Sequence, residues 1–82
     1  MRIAGVKTNP DWSLLITSND GKVGRFDVRP YLSFEAFEEL NDVAEFMKIS
    51  NGGYFVKWAC GADLSADTIE AKMSIVRDVE NA

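Results

Sequence analysis

Three carboxylates lie where an apolar, strand-like run ends and a helix-like run begins: Asp63, Asp67 and Glu70. Such residues do two kinds of chemistry. Converging oxygens hold a hard cation, and a carboxyl whose pKa has been raised by burial serves as a general acid or base. Spacing alone demonstrates neither, because aspartates beside a helix start commonly cap it or oppose its dipole. Asp63 and Asp67, with Glu70, are therefore a candidate ligand or metal site whose competing use is capping. Cys60 is the chain's single cysteine. A nearby helix start is one route to a reactive thiolate, but a free cysteine more often packs as a small hydrophobe. The chain contains no histidine, which removes imidazole-based triads and most zinc sites. No catalytic residue and no cofactor is assigned.

Two further groupings suggest binding rather than reaction. Residues 34–46 carry Glu35, Glu38, Glu39, Asp42 and Glu45 with no base, and such a run is either a solvated face or a surface for a partner. Trp12, Tyr54 and Trp58, together with Lys48 and Lys57, have the composition of a base-stacking sheet face. Two lysines on a chain of net charge −4 make a poor phosphate track, so nucleic acid is the weaker expectation. Asn51-Gly52-Gly53 is too short to cradle a phosphate, and no Gly-x-x-x-x-Gly-Lys or dinucleotide fingerprint occurs.

The elements that must position these residues follow from turn chemistry and periodicity. Arg2–Thr8 reads as a strand, Asn9-Pro10-Asp11 as a turn, and Trp12–Thr17 as a second strand with Trp12, Leu14 and Ile16 on one face. Asn19-Asp20-Gly21 is the clearest hairpin signal, returning the chain through Lys22–Val28 with Gly24 marking a bulge or a close backbone approach. Arg29-Pro30 stops the sheet. Ser33 is placed to cap a short helix whose buried stripe is Phe34, Phe37 and Leu40. Val43–Phe46 reads equally as a further helical turn or the approach to a strand. A second hairpin spans Met47–Trp58 about the paired glycines. A terminal helix begins at the Ser65 cap, with Ala66, Ile69, Met73 and Val76 as its core stripe and Ile75 and Val79 as a second apolar edge. Glu35, Glu38, Glu39, Ile75 and Val79 form the candidate interaction surface.

The chain of 82 residues is expected to be a single α+β domain, residues 1–82. Its architecture reads as an antiparallel sheet of about five strands (a three-strand meander, a short helix, then a hairpin) with a packed C-terminal helix. An apolar fraction of 46% with nine aromatics argues against disorder. No run is long and apolar enough to span a bilayer, and Met1–Gly5 leads straight into strand-like sequence. The expected address is the cytoplasm, with no membrane partner.

The order of elements carries a resemblance. Phe26-Asp27-Val28-Arg29-Pro30-Tyr31-Leu32 after the Asn-Asp-Gly turn, Leu40-Asn41-Asp42 before Phe46, and above all Trp58-Ala59-Cys60-Gly61-Ala62-Asp63-Leu64-Ser65-Ala66-Asp67 resemble a family of small bacterial domains of unknown function. That family ends in a Trp-x-x-Gly-x-Asp-Leu-x-x-Asp motif. The chain departs from it in having Ala59-Cys60 where Pro or Asn often precedes the glycine, and Val28 where Leu is usual. The resemblance implies an α+β domain, found alone or beside a DNA-binding domain, and in some cases encoded next to another small protein in a toxin–antitoxin-like pair. It supplies no catalytic residue. The functional expectation is a non-catalytic interaction or regulatory module that binds another protein or a second copy of itself. The alternatives are the Asp63, Asp67, Glu70 ligand site and nucleic-acid binding through a basic sheet face.

Overall fold

The computed structural model describes residues 1–76. In chain order its elements are β1 (Ile3–Thr8), β2 (Ser13–Ser18), β3 (Val23–Asp27), a 3₁₀ turn (Arg29–Tyr31), a 3₁₀ helix (Glu35–Asn41), α1 (Val43–Phe46), β4 (Ile49–Asn51), β5 (Phe55–Trp58), β6 (Asp63–Ser65), α2 (Ala66–Lys72) and β7 (Ser74–Ile75). The class is α+β with antiparallel pairing, as expected. The strands divide between two sheets, ordered β1-β2-β3-β7 and β4-β5-β6, rather than forming one. The sheets meet where the Ile3 N–H donates to the Gly53 carbonyl at 2.6 Å and the Asn51 amide donates to the Ile3 carbonyl at 3.0 Å.

Three hairpins use one loop geometry. In each, three residues connect paired positions: Asn9 to Ser13, Ser18 to Lys22, and Trp58 to Ala62. The last loop residue donates its N–H back to the first paired carbonyl, at 3.2, 3.0 and 2.9 Å respectively. This is a tight turn closed by a residue in the left-handed region, a seat that suits glycine because a Cβ is disfavoured there. Gly21 and Gly61 occupy it in two loops, with φ of 90° and 102°. In the first loop the occupant is Trp12, at φ 62°.

The same loop holds a local charge network. Asp11 accepts hydrogen bonds from the Ser13 hydroxyl and N–H and from Arg25 Nη2 at 2.7 Å. The Ser13 hydroxyl first, then Arg25, hold its carboxyl down from 3.8 to about 2. Because the folded value lies below the ordinary one, the stability these contacts contribute is fully present above 3.8 and is lost as pH falls through about 2. A carboxyl-carbon NMR titration should place the Asp11 midpoint near 2 and find it raised in Arg25→Gln; a midpoint near 3.8 in the unaltered chain would contradict this network.

The core is an aromatic chain. From the surface inward, Phe34 packs edge-on to Tyr31 at 6.0 Å, Tyr31 on Phe37 at 5.7 Å, and Phe37 on Trp58 at 6.2 Å. Trp58 then stacks on Phe46 at 6.0 Å, and Phe46 meets Trp12 at 6.3 Å. Both indoles donate to backbone carbonyls that helix ends leave unpaired: Trp58 to Phe46 at 2.8 Å and Trp12 to Leu40 at 2.6 Å. Leu14, Ile16 and Phe26 of the larger sheet, Val28 just past it, Val56 and Leu64 of the smaller sheet and Ile69 of α2 belong to the same buried cluster.

One helix reading needs correction, and one that the sequence left open is decided. The segment capped in sequence by Ser33 is a 3₁₀ helix whose N-cap is Phe34, with no side-chain cap. The preceding turn runs into it through Phe34 N–H to Tyr31 C=O at 3.0 Å, so Ser33 never stands at a helix start. Val43–Phe46 is a helical turn, capped by the Asp42 carboxylate on Ala44 N–H at 3.0 Å.

The terminal helix starts as expected and stops early. Ser65 Oγ accepts from Thr68 N–H at 3.1 Å, and Ser65→Ala should cost about 1 kcal/mol. An unchanged urea midpoint would place the effective cap elsewhere, for instance at Asp63. The helix ends at Lys72 and Met73 is extended, so Ile75 is not on a helical edge. It lies in β7, opposite Gly24, and Val76 N–H donates to Val23 C=O at 2.8 Å. The open edge of β3 offers hydrogen bonds that β-branched Ile75 and Val76 suit better than another helical turn. Gly24 permits this close approach, since a Cβ there would collide with the Met73 thioether. Val79 lies outside the described residues.

Candidate functional site

The carboxylates near the α2 start do not converge. Asp63 stands on the exposed face of β6 in register with Lys57 of β5, an opposite-charge cross-strand pair. Asp67 lies in the first turn of α2, where it opposes the helix dipole. Glu70 faces the N-terminal ammonium, with Oε1 3.3 Å away. Among the described residues no three Cys, Asp or Glu side chains come together as a metal ion would require. Cys60 is half-buried at the tip of the β5–β6 turn.

The aromatic platform is not assembled either. Trp58 is buried and Trp12 half-buried in the core. Tyr54 alone is open, with the Arg2 guanidinium over its ring at 5.6 Å. Lys48 is paired to Glu45 at 2.8 Å and Lys57 stands in strand register with Asp63, so each lysine has a carboxylate as a neighbour and the two form no purely basic track.

What the fold does assemble is a face built on the 3₁₀ helix. With three residues per turn, side chains at i and i+3 eclipse one another. The sequence Phe34-Glu35-Ala36-Phe37-Glu38-Glu39-Leu40-Asn41-Asp42 therefore sorts into three ridges. Phe34, Phe37 and Leu40 form one, which turns into the core beyond Phe34. Glu35, Glu38 and Asn41 form the second, and Ala36, Glu39 and Asp42 the third. Phe37 and Leu40 are buried, whereas all three glutamates are exposed. The eclipsed Glu35 and Glu38 repel each other. Among the described residues the ion pairs are Met1–Glu70, Lys22–Asp20, Arg25–Asp11, Arg29–Asp27 and Lys48–Glu45, and none relieves Glu35, Glu38 or Glu39.

Beside this helix lies a groove of about 400 Å³ lined by Phe26, Asp27, Pro30, Tyr31, Phe34 and Lys72. Pro30, Tyr31 and Phe34 come from the 3₁₀ segment, Phe26 and Asp27 from the end of β3, and Lys72 from the last turn of α2. Tyr31 stacks on Phe26 at 5.6 Å, which holds its ring in place. Phe34 is 55% exposed at the groove's rim, so that its ring joins Tyr31 in one open apolar surface. Asp27 is already committed: both its oxygens accept from the Arg29 guanidinium at 3.0 Å, which lowers the carboxyl's pKa and raises that of Arg29. The cation that remains without an ion pair among the described residues in this groove is Lys72.

Glu35, Glu38 and Glu39 of the candidate interaction surface thus lie together, while Ile75 lies apart from the groove on the β7 edge. Sequence reasoning missed Tyr31, Pro30 and Lys72. The signal for Tyr31 was that it continues backward the three-residue spacing of Phe34, Phe37 and Leu40, which suits 3₁₀ geometry; Pro30 carried none. Lys72 carried no signal, because its place depends on α2 packing beside a segment some forty positions earlier.

This chain belongs to the DUF2442 family, described as a protein of unknown function, whose sequence profile matches residues 3–73. The match runs from β1 through α2, including the Trp58–Asp67 motif, and ends just before β7. No curated protein and no solved structure matches the chain.

Proposed function

We propose that this chain is a non-catalytic, regulatory protein-interaction module that docks a partner protein on the face formed by the acidic 3₁₀ helix and the adjoining aromatic groove. The observation that carries the reading is the pairing, on one short segment, of three carboxylates that have no ion-pair partner among the described residues with an exposed phenyl ring. Stacked like charges raise the free energy of the isolated domain, and a basic partner relieves that repulsion while covering Phe34. The resemblance adds the expectation that the partner is a small bacterial protein encoded beside this one, as in toxin–antitoxin-like pairs, and meets it in the cytoplasm.

The reading is tested by expressing the tagged chain in its source cell and measuring what co-purifies. A stoichiometric protein partner, or a second copy of the chain, that is reduced when Phe34→Ala is introduced is the expected result. A chain that remains solitary at native expression levels contradicts it.

A further inference from the structure

Asn51-Gly52 is the chain's single Asn-Gly pair, and the fold places it at the joint between the two sheets. The Asn51 side-chain nitrogen donates to the Ile3 carbonyl at 3.0 Å, and the side-chain oxygen accepts from Gly53 N–H at 2.8 Å. Beside them the Ile3 N–H donates to the Gly53 carbonyl at 2.6 Å. One primary amide thus ties the end of β4, the glycine turn and the start of β1 together.

The same amide is the reactive group of a backbone chemistry. In an Asn-Gly pair no side chain shields the nitrogen that follows the asparagine, so that nitrogen can reach the amide carbon. The Gly52 nitrogen, giving its proton to hydroxide, bonds to Asn51 Cγ; the Cγ–Nδ2 bond breaks and ammonia leaves, closing a five-membered succinimide. Water then opens the ring at either carbonyl. The products are aspartate and, where the main chain is left running through Cγ, isoaspartate.

The closed junction opposes each part of this step. Gly52 N–H is engaged by the Phe55 carbonyl at 2.8 Å, the leaving Nδ2 is engaged by Ile3, and the Phe55 ring lies where a Cβ on Gly52 would stand. Ring closure therefore waits on local opening of the β4–β5 turn and its contact with β1. Neither product recloses in the original form. Aspartate sets a carboxylate oxygen, an acceptor, where Nδ2 donated to the Ile3 carbonyl. Isoaspartate adds a main-chain carbon at the position paired with Val56.

We propose that Asn51-Gly52 is a deamidation site gated by the sheet junction, which converts a transient opening into a permanent weakening of the joint between the sheets. The change needs no partner, and it stands apart from the groove beside the 3₁₀ helix.

Peptide mapping by mass spectrometry tests this on the whole chain, incubated at mildly alkaline pH in buffer and in urea. Trypsin isolates the site as residues 49–57, between its cuts after Lys48 and Lys57. Conversion of amide to acid, with an isoaspartate fraction, should accumulate there in urea and proceed about tenfold or more slowly in the folded chain. Asn51→Asp, and converted chain separated by ion exchange, should each unfold at lower urea than the unaltered chain and exchange the Ile3 amide hydrogen faster. The converted chain supplies this comparison if the variant does not fold. Absence of conversion in urea overturns the site, and equal rates in buffer and urea overturn the gate. An unchanged urea midpoint with unchanged Ile3 exchange in the converted chain overturns the weakening.

Discussion

Trp58→Ala is expected to leave the chain largely unfolded or barely folded at room temperature. The indole is fully buried, lies between Phe37 and Phe46, and donates to the Phe46 carbonyl at 2.8 Å. Truncating a buried aromatic to alanine costs about 3–5 kcal/mol through lost burial and the cavity left behind. The orphaned carbonyl at the end of α1 adds roughly 1–3 kcal/mol if no water reaches it. A domain of this length holds only about 4–12 kcal/mol in total, so this one change removes much or all of it. Trp58→Phe separates the two contributions, since it keeps most of the packing and loses only the donor. Urea unfolding followed by circular dichroism should find Trp58→Phe intermediate and Trp58→Ala without a native baseline. A midpoint near that of the unaltered chain for Trp58→Ala would mean that the two sheets do not meet through this ring.

The second large effect concerns Trp12, and it inverts a common order. Trp12→Ala and Trp12→Gly both remove the half-buried ring, its contact with Phe46 and its hydrogen bond to Leu40, for a loss of about 2–4 kcal/mol. Alanine retains the strain of a Cβ in the left-handed region, about 1–2 kcal/mol, and glycine does not. Glycine at position 12 should therefore be the more stable of the two by about 1 kcal/mol, as it serves at the equivalent seats of Gly21 and Gly61. Paired denaturation curves decide it. Equal midpoints, or alanine the more stable, would show that the loop relaxes out of this conformation once the ring is gone. The strain is retained here because the indole ties the first hairpin to the end of the 3₁₀ helix, across 28 positions of sequence.

These two tryptophans mark the boundary of what the sequence makes legible. Local chemistry read correctly: Asn9-Pro10-Asp11 and Asn19-Asp20-Gly21 turn the chain, and Ser65 caps α2. Each is decided within four or five residues. The failures are nonlocal. Ile75 and Val76 fit helical spacing in isolation, and only the open edge of β3, with Gly24 accommodating Met73, makes them a strand. Asp63–Ser65 reads as the lead-in to a helix and is also the third strand of the small sheet, because β5 needs a partner on that side. The 3₁₀ helix lay between these cases: its apolar spacing of three was visible, but an α-helix tolerates the same pattern over so short a span.

The candidate site divides the same way. Glu35, Glu38 and Glu39 could be named from charge alone, and the fold places them together on exposed ridges. Asp63, Asp67 and Glu70 could be named as readily, yet the fold gives them separate settings: Asp63 in strand register with Lys57, Asp67 in the first turn of α2, and Glu70 beside the chain's N-terminal ammonium. The groove beside this helix was not legible, since Phe26 comes from β3, Tyr31 and Phe34 from the 3₁₀ segment and Lys72 from α2.

The central claim, that the acidic 3₁₀ helix and its groove form the binding face, is tested most directly by a two-dimensional amide NMR titration of the chain with its captured partner. The account predicts shifts confined to the amides from Phe26 to Leu40 and those around Lys72. Shifts centred on Asp63 and Asp67, or on the Lys48 and Lys57 side of the small sheet, with the groove unmoved, would contradict it.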